Sequence, residues 1–141
     1  MASGVYNRFK YNLFAGLVDL AGSGSHTIKV GLLTSSHSFV AANNTWTAIS
    51  GNETSGTGYT AGGATLASKT ITQVDGSNLA MFDADDTTWS TSTITAAFAV
   101  VYDSTLLAKD LIACYDFGGN QSSSAGNFTI QWNASGLITL S

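Results

Sequence analysis

The sequence predicts an all-β fold, a single-domain β-sandwich or jelly roll preceded by one N-terminal α-helix. Three observations predict it. Apolar residues recur at helical period once, near the N-terminus, and the pattern switches to period two from His26 onward. Short candidate strands then follow one another with Gly, Asn, Asp and Ser between them, as in sandwiches and barrels. The 141 residues can fill one core and not two, so the chain reads as one domain, 1–141, with a helix over about 6–21 and a sandwich over about 26–141.

The helix is carried by "YNRFKYNLFAGLVDLAG". Tyr6, Phe9, Leu13, Leu17 and Leu20 fall at steps of three and four, and Arg8, Asn12 and Asp19 lie off that line. Phe14 and Val18 widen the stripe, and Gly22 is placed to end it. Next, "TIKVGLLT" sets Ile28, Val30 and Leu32 against Lys29 and Gly31. "TWTAISGNE" reads as a short helical turn. "ATLASKTITQV" reads as one long strand, closed by the hairpin signal Asp75-Gly76 and answered by "LAMFDA". "ITAAFAVVY" is apolar on both faces, as a strand covered on both sides must be. "DLIACYDF" sets Leu111, Ala113, Tyr115 and Phe117 against Ile112, Cys114 and Asp116. "NFTIQW" and "GLITL" supply the last strands.

The glycine-rich stretch "GTGYTAGGATL", Gly56 to Leu66, invites a phosphate-loop reading. Its spacing matches neither G-x-G-x-x-G nor G-x-x-x-x-G-K-[ST]. A phosphate loop also needs a following helix whose amides face the anion, and here a strand follows. The stretch reads as a connection in which glycines take positive φ and pass close to a neighbour, anchored by Tyr59.

Composition narrows the function classes. Charged residues are 10% of the chain, against roughly 25% in ordinary globular domains. Serine and threonine number 18 each and proline is absent, while 44% is hydrophobic, so a core forms beneath a surface of hydroxyls and amides. Such a surface suits contact with other protein, because hydroxyls desolvate at lower cost than charges. With a net charge of −4 and five Lys and Arg, no basic cluster exists to neutralise nucleic-acid phosphates or anionic lipid. Nucleic-acid and membrane partners are therefore excluded from the reading. The apolar run Leu13–Val18 is too short for a signal peptide, and none approaches the roughly 20 residues of a membrane span. The sequons at Asn43, Asn52, Asn120, Asn127 and Asn133 follow from the Asn, Ser and Thr content.

Candidate chemical groups are few. Asp83, Asp85 and Asp86 in "FDADD" are the densest carboxylates; the run lacks the glycine and closing glutamate of an EF-hand, which leaves a looser calcium site against a solvated turn capping free amides. Cys114 with His26 or His37 would be the only nucleophilic set, but an apolar strand makes Cys114 a small hydrophobe with a raised thiol pKa. No G-x-S-x-G elbow and no zinc spacing occur, so neither catalytic residues nor a cofactor are assigned. Trp132 follows Phe128 and Ile130 on one strand face and reads as core. Trp46, Trp89 and Tyr59 lie near loops and are the candidates for contact with a partner.

The blocks "YNLFAGLVDL", "HTIKVGLLTSS", "NETSGTGYTAGGATL", "FDADDTTW" and "LIACYDFGGNQSSSAGNFTIQWNASGLI" resemble small structural proteins of tailed bacteriophages. The likeness covers nearly the whole chain, with "SGTGYTAGGATL" its most specific part. It implies a virion component without enzymatic activity, most like a capsid cement or decoration protein of jelly-roll type. Such a protein sits on the outer capsid surface, binds the major capsid protein, and is expected as a homodimer or homotrimer. The alternative is a tail or fibre component that contacts host surface glycans.

Overall fold

The most apolar stretch of the sequence lies at the centre of the largest sheet. The computed structural model describes residues 3–141. Its elements, in order, are β1 (Gly4–Val5), α1 (Asn7–Ala15), β2 (Ile28–Leu33), α2 (Trp46–Ile49), β3 (Ala64–Thr65), β4 (Thr70–Val74), β5 (Leu79–Asp83), β6 (Thr87–Ser92), β7 (Thr95–Asp103), β8 (Asp110–Ser122), β9 (Gly126–Ile130) and β10 (Ile138–Leu140). Five strands pair in the order β1-β8-β7-β2-β3, three in the order β10-β5-β4, and β6 pairs β9. All these pairings are antiparallel. The fold is all-β and sandwich-like with an N-terminal helix, and "TWTAISGNE" forms α2 followed by a 3-10 turn.

Both faces of the five-stranded sheet are covered, which is why β7 is buried along all but its first residue. On one face Val30, Leu32, Ala99, Val101 and Ile112 meet Phe82 and Ile138 of the three-stranded sheet and Trp89, Phe128 and Ile130 of the two-stranded sheet. On the other, Leu33, Phe98, Val100, Leu111 and Cys114 meet Tyr6, Trp46 and Ile49. Burial of this many branched and aromatic side chains, at roughly 25 cal/mol per Å² of apolar surface, drives the assembly.

Several elements depart from the sequence expectation. Helix α1 ends at Ala15, because Gly16 takes the left-handed conformation at φ 66°. The Gly16 N–H bonds the Leu13 carbonyl and the Leu17 N–H the Asn12 carbonyl, a Schellman closure that Gly22 was expected to supply. Residues 17–21 are therefore not helical, and Gly22 instead donates its N–H to Asp19 Oδ1 at 2.6 Å. "ATLASKTITQV" is two strands. Ser68 at φ 52° breaks it, sending β3 to the five-stranded sheet and β4 to the three-stranded one. The Asp75-Gly76 hairpin joins β4 to β5 as expected, with Asn78 taking the left-handed position.

Two bulges rewrite the alternation. Register shifts between Ala96 and Phe98, and again between Val101 and Tyr102 opposite Ile112. The extra residue turns Leu111 to the Cys114 face and places Ile112 with Ala113, so the predicted split of "DLIACYDF" fails at its first two residues.

Candidate functional site

The aromatic residues expected at a partner surface are interior. Trp46 is 4% exposed and stacks on Tyr102 at 4.6 Å between ring centres. Its backbone N–H donates to the Lys109 carbonyl at 2.9 Å, fixing the start of α2 over the sheet. The indole lies directly on Gly31, where a Cβ would overlap the ring. Trp89 is 6% exposed and meets Phe128 edge-on at 6.1 Å and Tyr59 at 5.9 Å. Neither indole face is open to a partner. Both sit near loops in sequence, but the loops fold back over the sheet and bury them.

Tyr59 is the anchor expected, directed inward. Its hydroxyl donates to Glu53 Oε1 at 2.7 Å and accepts the Leu32 N–H at 3.0 Å. Glu53 also accepts the Gly62 N–H at 2.6 Å, and Tyr102 donates to the Gly62 carbonyl at 2.7 Å. Burial raises the phenol pKa of Tyr59, and burial followed by the Glu53 charge lifts that of Tyr102 to about 12. Gly63, at φ 77°, lies against the Val30 carbonyl so closely that no Cβ fits. The loop is thus a clamp across β2. A carboxylate occupies the place where a phosphate loop would present amides to an anion.

The nucleophilic set is half assembled. Cys114 Sγ lies 4.0 Å from His37 Nε2, and both residues are buried at 1% and 2% exposure. Burial pushes the thiol up to about 12 and lowers the His37 pKa, so thiol and imidazole are both held neutral and sealed from solvent. His26 lies elsewhere, with its ring Nδ1 2.5 Å from Asp103 Oδ2. Asp103 also accepts the Thr105 N–H at 3.0 Å, and among the described residues no hydroxyl or thiol bonds the His26 ring. The carboxylates of "FDADD" diverge. Asp83 accepts the backbone N–H of Ala84, a local amide cap, while Asp85 accepts the Ser68 hydroxyl and Asp86 the backbone N–H of Trp132, both distant in sequence. Among the described residues no three His, Cys, Asp or Glu side chains converge as a metal site.

A shallow cleft of about 400 Å³, lined by residues including Phe117, Gln121, Asn127 and Thr129, contains no ionisable side chain. Phe14 is 97% exposed, Tyr11 59% and Leu107 102%; on other elements Thr88 bonds Thr129 and Thr95 bonds Ser122 through their hydroxyls. Tyr11 and Phe14 were not singled out as contact residues. At 100° per residue Tyr11 falls opposite Tyr6, Phe9 and Leu13, whereas Phe14 falls at the flank of that line, where it was expected to widen the stripe and is instead exposed. No family model matches the chain, nor does any curated protein or solved structure compared with it.

Proposed function

We propose that the chain is a structural virion protein of a tailed bacteriophage, a capsid cement or decoration protein that binds the major capsid protein lattice on the outer surface of the head. The observation that carries this reading is its solvent face. It carries hydroxyl pairs such as Thr88–Thr129 and Thr95–Ser122, and elsewhere exposed apolar side chains such as Phe14 and Leu107. Neutral hydroxyls lose their water at low cost and re-form hydrogen bonds across a lattice, while apolar anchors supply the attraction. Cys114 and His37 are meanwhile buried against each other. The resemblance of "SGTGYTAGGATL" and its flanking blocks to phage structural proteins points the same way.

The mechanism is mechanical. Each copy bridges capsid subunits and favours the intact shell by mass action, with no bond made or broken and no cofactor. A homodimer or homotrimer spans such a lattice most simply. The second reading, a tail or fibre component holding host glycans, drew on exposed tryptophans, and burial of Trp46 and Trp89 weakens it.

Imaging of purified particles tests both. Density on the outer capsid surface is expected; density on the tail would favour the second reading, and particles without the protein would end both. Particles lacking it should rupture at lower temperature and lower osmotic stress. Unchanged rupture would overturn the cement role.

A further inference from the structure

Strand β4 is the outer strand of the three-stranded sheet, and its free edge is unguarded. Natural edge strands are blunted by charged residues, proline, bulges or a covering loop. "TITQV", Thr70 to Val74, contains none of these. Four of its five residues are exposed, and Ile71 is 57% exposed. Beyond its pairing with β5, none of its backbone N–H or carbonyl groups bonds another part of the described chain. An uncharged, β-branched edge with unmet backbone groups is a template for another strand.

We propose that β4 pairs antiparallel with β4 of a second copy of this chain, joining two three-stranded sheets into one continuous six-stranded sheet across a two-fold axis at Thr72. The register follows from geometry. A two-fold axis normal to the sheet pairs only residues on the same face, so the axis passes through a residue. Centring on Thr72 is the only choice that engages the whole strand, with Thr70 opposite the partner Val74 and Ile71 opposite the partner Gln73. The ladder then gains about four to six main-chain hydrogen bonds, depending on which parity faces outward.

Charge selects the same partner. In this register Lys69 falls opposite the partner Asp75 at both ends, and no like charges meet directly. Lys69 Nζ donates to the His26 carbonyl with two further donors to spare, and Asp75 is exposed with one oxygen accepting from Gln73. Asp83 is opposite Thr70 on β5, on the far side of β4 from the proposed partner strand. The two Ile71 side chains become diagonal neighbours across the axis and cover each other. The pairing narrows the oligomer expectation to a dimer, and it stands whether or not the chain belongs to a virion.

Sedimentation velocity of the full chain over a wide concentration range tests it. The wild type should populate a dimer. Thr72→Lys places two ammonium groups opposite each other on the axis and should raise the dimer dissociation constant at least about tenfold, with circular dichroism unchanged and the melting temperature equal to wild type only at concentrations where both are monomeric. Thr72→Cys should yield a covalent dimer on mild oxidation, since facing Cα atoms about 4.5–5.5 Å apart lie within disulfide reach. A wild type that stays monomeric throughout, or a dimer that Thr72→Lys leaves intact and Thr72→Cys does not cross-link, would overturn the proposal.

Discussion

Strands β7 and β4 differ entirely in circumstance. Both begin with threonine, and both lack lysine, arginine and proline. Yet Val100 is fully buried and Ile71 is 57% exposed. β7 has a partner on each edge and a covering layer on each face, whereas β4 has one partner and no cover. A β-strand thus acquires its burial from what the rest of the chain stacks on it. For β7 that cover is the two smaller sheets on one face, and on the other Tyr6 and the α2 turn with Trp46.

The sharpest test strikes at that cover. Gly31→Val inserts methyl groups where the Trp46 indole lies on the backbone and should cost about 3 kcal/mol or more, or prevent folding. Ile71→Val on β4 should stay within about 0.5 kcal/mol at concentrations where the chain is monomeric, because the site is open there. Urea denaturation measures both. Equal midpoints for the two variants would dissolve the distinction between covered and open strands.

A smaller loss is expected at the seam between α1 and the five-stranded sheet. Asp110 Oδ2 accepts from Arg8 Nε at 2.8 Å and from Asn12 Nδ2 at 2.7 Å. Arg8 is partly solvated, so its share of the interaction is screened, but Asn12 is buried at 2% exposure. Asp110→Ala strands the Asn12 amide and should cost about 1–3 kcal/mol. The same change leaves β4 untouched, so the dimer dissociation constant should not move. A parallel loss of dimer would mean that the two sheets communicate through α1.

Smaller still is the pH response of the covered face. Burial holds the Cys114 thiol at about 12 against an ordinary 9.0, so the unfolded chain releases that proton first as pH rises. Stability carried by the neutral thiol is intact below pH 9.0 and declines as pH climbs toward 12. His37 acts at the other end. Its lowered pKa means that the unfolded chain takes up a proton first, so stability falls as pH drops below the ordinary 6.5. Cys114→Ala should flatten the alkaline limb of a stability-against-pH curve and leave the acid limb unchanged. An alkaline limb identical to wild type would show that the buried tyrosines carry it alone.

What the sequence disclosed follows the range of each signal. Period-two patterning and the Asp75-Gly76 turn act within a few residues, and they placed the β5 return strand and the doubly covered "ITAAFAVVY" correctly. The end of α1 was misplaced although Gly16 was visible, because the apolar stripe continues through Leu17 and Leu20 after the backbone has turned. Leu20 is buried all the same, from a non-helical segment. The break at Ser68 and the bulge at Ile112 carry no local mark, since partners distant in sequence impose them. Trp46 and Trp89 were misjudged for a related reason. Nearness to a loop predicts exposure only when the loop leaves the sheet, and here Tyr59 and Glu53 fasten it down. The clamp itself was legible, because glycines ahead of a strand leave few other readings.

The smallest expected effect on stability belongs to the outer face of α1. Phe14 is 97% exposed, so Phe14→Ser removes no native contact of consequence and should shift unfolding by less than about 0.5 kcal/mol. Its interest lies in a different readout. Burying a phenylalanine side chain against another protein contributes about 1.5–3 kcal/mol. If α1 is a face by which the protein grips a capsid, the variant should bind particles roughly tenfold to a hundredfold more weakly while melting as the wild type does. Thr72→Lys, which targets the dimer, should weaken particle binding only as far as binding requires two linked copies. Comparing the two variants on stripped particles separates the helix face from the strand edge. Wild-type occupancy by Phe14→Ser would remove α1 from the contact surface and leave Leu107 and the hydroxyl-bearing faces to supply it.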